Sequence, residues 1–109
     1  MEKIYNEVFV NSDFKWNIEE VIDKIKNRKI MFGIYLIMYS SNENNLLDIV
    51  NANELKFTHY MRSTNYIIGI ADSKNNALEV VQNIIMTTYK ECGNFDIRKY
   101  YGYDNFCDV

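Results

Sequence analysis

The stretch that decides the fold is IMFGIYLIMY, residues 30–39, a run of apolar and aromatic residues that only Gly33 interrupts. It lacks the apolar–polar alternation of a strand with one face in water. The run therefore predicts a strand that is buried on both faces or covered by a partner. Gly33 within it indicates a bulge or a close approach of backbone.

The residues upstream of this run predict a strand and then a helix. KIYNEVFVN, residues 3–11, nearly alternates β-branched and aromatic residues with polar ones, as a strand does. Asn17 is the predicted N-cap of the helix, and Glu20 follows three residues later as in a capping box. The apolar residues of the helix keep the spacing of one helical face, over Ile18, Val21, Ile22 and Ile25.

A second strand and helix follow, and a further element ends the chain. YIIGIA, residues 66–71, predicts a strand, and Asp72 or Ser73 caps a long helix that Gly93 ends. NFDIRKYYGY, residues 94–103, predicts a last strand, with a short helix starting at Asp96 as the alternative. In the connecting segment Ser40–Asn65, the sequence predicts a short helix over residues 46–55, with Leu46, Leu47 and Val50 pointing inward, and a short strand or extended arm over residues 54–60.

This order of elements predicts one α+β domain over residues 1–109. The plan is a single-layer sheet with two helices on one face, ferredoxin-like βαββαβ, with the connecting segment inserted after the second strand. A small three-layer α/β fold is the alternative. The ferredoxin-like plan places the most apolar strand at the sheet edge, so either the insertion or a second copy of the chain must cover it.

Composition excludes several classes of protein. The net charge of −3 argues against a protein that chiefly grips nucleic-acid phosphates. No apolar run is long enough to cross a membrane, and we expect a cytoplasmic protein. Cys92 and Cys107 are too few for a zinc site of cysteines and are predicted to be free thiols. The glycines form no nucleotide-binding motif, so the sequence predicts no cofactor.

Two longer stretches carry a resemblance to other proteins. GIYLIMYSSNENNLLDIVNANELKFTHY and YIIGIADSKNNALEVVQNI resemble short, uncharacterised proteins of Firmicutes. The resemblance covers roughly residues 33–100. It implies a bacterial cytoplasmic protein and carries no activity and no functional residues.

His59, the chain's one histidine, is the first candidate for catalysis. A histidine acts as a general base when a carboxylate orients it, and Asp48 or Glu54 is the available partner. No DxD, HxH or HExxH spacing is present, so the sequence predicts neither a metal site nor an enzyme. Basic residues group at residues 24–29, and a second group, Arg98 and Lys99, lies beside two tyrosines, but no RNA-recognition signature accompanies them.

The aromatic C-terminus and the apolar strand together favour protein binding, because aromatic residues are enriched at protein interfaces. We therefore expect a non-enzymatic interaction or regulatory module, for example an inhibitor encoded by a mobile element, that forms a homodimer or binds another protein. A small-ligand sensor, and after it a small enzyme using His59, are the alternatives. The candidate interaction residues are His59, Tyr60, Arg62, Tyr100, Tyr101, Tyr103 and Phe106.

Overall fold

A computed structural model of the chain describes residues 1–42 and 44–109. Its centre is a five-stranded sheet in the order β3-β2-β4-β1-β5. The strands are β1 (Glu2–Val10), β2 (Tyr35–Tyr39), β3 (Leu47–Asn51), β4 (Asn65–Ala71) and β5 (Phe106–Asp108). The helices are α1 (Ile18–Lys26), α2 (Thr58–Met61), α3 (Lys74–Cys92) and α4 (Ile97–Tyr101), with a 3-10 helix over Ala52–Lys56.

The sheet is mixed in direction. The central strands β1 and β4 run parallel, and β2 pairs antiparallel with β4 on one side and with β3 on the other. β5 pairs antiparallel with β1 and forms the opposite edge. The most apolar strand, β2, is therefore an interior strand, and the predicted insertion supplies the strand that covers it.

Helices cover both faces of the sheet because β2 has no polar face. Leu36 and Met38 pack in one core with Val21 of α1, whereas Ile37 and Tyr39 pack in a second core with Val80 of α3. The predicted single layer with two helices on one face is thus wrong, and the strand order also differs from the predicted ferredoxin-like plan. The α+β class is as predicted, and the layers are those of the three-layer alternative.

The predicted caps of α1 and α3 are confirmed. The Asn17 side chain accepts hydrogen bonds from the backbone N–H groups of Glu19 and Glu20. Ser73 caps α3, and Gly93 ends that helix with φ of 76°, a left-handed conformation that favours glycine.

Asp72 ties the start of α3 to the loop before α1. Its carboxylate accepts hydrogen bonds from the backbone N–H of Lys15 and from the Asn76 side chain, both at 2.8 Å. Burial by itself would raise the pKa of Asp72, but these hydrogen bonds outweigh it and hold the pKa below the ordinary value. The loop is therefore anchored by a carboxylate in its charged form.

The connecting segment differs from its prediction. Residues 47–51 form β3 rather than a helix, because Leu47 and Ile49 face the α3 side of the sheet while Val50 packs on the α1 side. Asn51 and Glu54 then form a capping box that starts the 3-10 helix. The predicted strand over residues 54–60 is accordingly wrong, since this part of the chain is helical.

The C-terminus follows the alternative prediction. Asp96 caps the short helix α4, and β5, which the sequence pattern did not predict, comes after it. Two of the predicted interaction residues, Tyr101 and Phe106, are buried in the core on the α3 side. Cys92 and Cys107 are exposed free thiols, as predicted. No helix among the described residues has the length and apolar character needed to span a membrane.

Candidate functional site

The outer edge of β3 is an open edge of the sheet. The backbone N–H of Ala52 donates to the carbonyl of Ile34 at 2.9 Å, which sets the alternation of the β2–β3 ladder. In that alternation the backbone groups of Asp48 and Val50 point to β2, and those of Leu47 and Ile49 point outward. Among the described residues these outward groups have no partner, because β3 is the last strand of the sheet.

Exposed apolar side chains flank this edge on the α3 side of the sheet. Phe57 is 61% exposed and Leu78 of α3 is 55% exposed. Both line an open groove of about 570 Å³ together with Ile49 and with Tyr35 of β2. A strand added to β3 would place alternate side chains over this groove.

A polar and aromatic hollow of about 250 Å³ lies where β2 ends and β4 begins, beside the first residues of β3. We call it the tyrosine hollow. Asp48 contributes its carboxylate, and Arg98 of α4 approaches from the C-terminal region. The lining side chains that bear on function are Tyr39, Asp48, His59, Tyr60, Tyr66, Arg98 and Tyr103.

Three tyrosine rings form one wall of the hollow. Tyr39 stacks on Tyr66 with ring centroids 5.8 Å apart, and Tyr103 meets both rings edge-on at 5.4 and 4.9 Å. The Tyr39 hydroxyl donates to the carbonyl of Gly102 at 2.7 Å. Burial raises the pKa of Tyr39 far above its ordinary value, so this wall stays uncharged.

The opposite side of the hollow is negative. Burial raises the pKa of Tyr60, and the carboxylates of Glu54 and Asp48 raise it further. Asp48 is half-buried, and no ion pair or hydrogen bond to its carboxylate is present in residues 1–42 and 44–109. The guanidinium of Arg98 donates instead to the carbonyls of Ser40 and Asn45. Asp48 therefore offers a negative charge that the described part of the chain leaves unpaired.

The structure brings together only part of the predicted set. His59, Tyr60 and Tyr103 line the hollow, whereas Arg62 and Tyr100 are exposed elsewhere. Tyr101 and Phe106 belong to the core. The predicted interaction residues are thus divided among one site, the open surface and the interior.

The surroundings of His59 are aromatic and open to solvent. The ring is exposed on α2 and packs edge-on against Tyr60 at 5.0 Å. Asp48 lines the same hollow, but within the described residues no hydrogen bond joins its carboxylate, or that of Glu54, to the imidazole. The same residues contain no group of three or more histidine, cysteine, aspartate or glutamate side chains suited to a metal ion.

Two of the basic residues considered for nucleic-acid binding make contacts within the fold. Arg28 pairs with the buried carboxylate of Glu2 at 3.2 Å and donates to the carbonyl of Leu55. Arg98 is held by backbone carbonyls, as described above. These two cations serve the structure and do not form an open basic face.

The sequence pattern missed Ile49, Tyr39 and Tyr66 as site residues. Ile49 was placed in a helix, although the aliphatic residues Leu47, Ile49 and Val50 in LDIVN suit a short strand. Tyr39 ends one predicted strand and Tyr66 begins another. Their position at strand ends was the available signal, because side chains at strand ends can face a loop.

Comparison with protein-family models, with curated proteins and with solved structures gives no match to this chain.

Proposed function

We propose that this chain is a non-enzymatic protein-interaction module that binds an extended segment of its partner along β3. The observation that carries the proposal is the open edge itself. The N–H and C=O groups of Leu47 and Ile49 face outward, and such a row of groups is a template for an added strand. The groove on the α3 side supplies apolar contacts for alternate side chains of that strand.

The edge lacks most of the devices that protect an edge strand from pairing. β3 contains no proline and no lysine, and its register with β2 runs without a bulge over five residue pairs. Asp48 is the one charged residue in it. An edge of this kind can pair with an added strand of suitable sequence.

A second exposed apolar patch supports an interaction role. Phe32 is 83% exposed in the loop before β2, and Ile30 and Trp16 are exposed beside it around one pocket. Exposed patches of large apolar residues mark interaction sites in many monomeric proteins.

The experiment is selection of binders from a displayed library of random linear peptides. Ile49→Pro removes an outward N–H and leaves the β2–β3 ladder intact, so we expect it to lose these peptides. Asp108→Pro is the matched control, because the Asp108 N–H points outward at the opposite edge of the sheet. Circular dichroism and urea unfolding test whether both variants fold before binding is compared.

The proposal fails if no peptide is enriched, or if the enriched peptides bind folded Ile49→Pro as well as they bind the wild type. The alternative of a small-ligand sensor would use the tyrosine hollow. A free ligand that raises the melting temperature of wild type and Ile49→Pro equally would favour that alternative. The volume of the hollow is below the usual range for small-molecule sites, which supports a side chain as its occupant.

A further inference from the structure

We infer that the segment bound by β3 carries a lysine or arginine directly opposite Asp48, between two apolar residues. This inference rests on the proposed function and names the chemistry of the partner. It follows from the ladder geometry, from the unpaired charge of Asp48 and from the tyrosine hollow next to it.

The ladder geometry assigns the three positions. In an antiparallel addition, the outward groups of Leu47 and Ile49 each bond to one partner residue, and those two residues are separated by one. The intermediate residue lies opposite Asp48 in a non-hydrogen-bonded pair, where the two Cβ atoms are about 4.5–5.5 Å apart. Its side chain shares the face of Asp48, whereas the two flanking side chains share the face of Leu47 and Ile49.

The surroundings of each face select the chemistry. The flanking side chains meet Leu47, Ile49 and the groove that Leu78 and Phe57 line, so they are apolar. The intermediate side chain meets Asp48 and the mouth of the tyrosine hollow. A lysine or arginine there pairs with the carboxylate, on the α1 side of the sheet where Tyr60 also packs.

The same geometry disfavours a second copy of the chain at this edge. The self-paired register that uses the outward groups of both Leu47 and Ile49 places Asp48 directly opposite its counterpart. Like charges in that position are destabilising. A basic segment of another protein removes this repulsion and satisfies the same backbone groups.

The test compares peptides selected on the wild type with peptides selected on Asp48→Lys. Wild-type selection should enrich lysine or arginine between two apolar residues, and Asp48→Lys should enrich aspartate or glutamate at that position. For one wild-type peptide, replacing the basic residue by glutamate should weaken binding about tenfold, because the ion pair is lost and two like charges then lie opposite each other. Asp48→Lys should restore binding of the replaced peptide.

The outcomes separate the two proposals. Peptides that fail to bind Ile49→Pro but show no charge preference overturn the inference and leave the proposed function standing. The same holds if peptides selected on Asp48→Lys still prefer a basic residue. Peptides that bind Ile49→Pro unchanged overturn both. Wild-type chain that dimerises in sedimentation experiments, and becomes monomeric as Ile49→Pro, overturns the inference in favour of a second copy.

Discussion

Replacing Gly69 by alanine should destabilise the fold at a close contact between β4 and α3. A Cβ atom at Gly69 would lie 2.7 Å from Cγ1 of Val80 and 3.3 Å from Cβ of Ile37. Both neighbours are completely buried, so neither side chain can move into solvent. The new methyl group must push α3 away from β4.

Two effects of opposite sign set the magnitude. Gly69 has no left-handed backbone conformation, so alanine is compatible there and gains about 0.5–1 kcal/mol from the lower entropy of the unfolded chain. Overpacking of a filled core costs about 1–3 kcal/mol. We therefore expect a net loss of about 1–2 kcal/mol in the free energy of unfolding.

Urea unfolding of four proteins measures this effect and assigns its cause. The proteins are wild type, Gly69→Ala, Val80→Ala and the double variant. Val80→Ala alone should lose about 1.6 kcal/mol or more, because it deletes two buried methyl groups. In the double variant the new methyl group occupies the space that Val80→Ala vacates. The double variant should therefore lose at least about 0.5 kcal/mol less unfolding free energy than the sum of the two single losses.

Close packing of α3 on Gly69 is refuted if Gly69→Ala is as stable as wild type, or if the two losses add in the double variant. Either result would show that α3 does not contact β4 as closely as the distances at Gly69 indicate.

Three further predictions concern the core and its charges. Phe106→Ala should cost about 3–5 kcal/mol in urea unfolding because Phe106 is only 7% exposed, whereas Tyr103→Ala, half-exposed in the same aromatic cluster, should cost about 1 kcal/mol; equal losses would contradict the assignment of Phe106 to the core. Arg28→Met should cost about 2–3 kcal/mol, since it leaves the buried Glu2 carboxylate without its guanidinium partner, and a loss below about 0.5 kcal/mol would show that the pair is unimportant. Folding lowers the pKa of Asp72, so its contribution to stability is present above the unfolded pKa of about 3.8 and is lost as pH falls through the folded pKa. Asp72→Asn should therefore be less stable than wild type at pH 7, and the difference should vanish in acid. A difference in stability that is independent of pH would contradict this linkage.

Local signals predicted most of the regular elements. Asn17, Ser73 and Gly93 lie at the helix ends where their chemistry places them, because capping depends on neighbouring residues only. In the apolar stretch before Ser40, residues 35–39 form a strand covered on both faces, as predicted, whereas Ile30 and Phe32 lie in a loop and are exposed. What sequence spacing could not supply was the side of the sheet on which each helix lies, since that depends on contacts between distant segments.

The connecting segment shows why the candidate site was only partly predicted. LLDIVNANEL has apolar residues that fit a short helix as well as a short strand, and pairing with β2 decides between them. Asp48 and His59 were singled out from their chemistry. Their neighbours in the hollow, Tyr66 and Tyr103, come from β4 and from the C-terminal segment, so only the fold brings them together.

The most direct test of strand addition at β3 is amide hydrogen exchange by NMR, with and without a selected peptide. In the free protein, the amides of Asp48 and Val50 should be protected by β2, and those of Leu47 and Ile49 should exchange fast. Bound peptide should protect Leu47 and Ile49 while leaving exchange at Asp108, on the opposite edge, unchanged. Fast exchange at Leu47 and Ile49 in the saturated complex would contradict binding along β3.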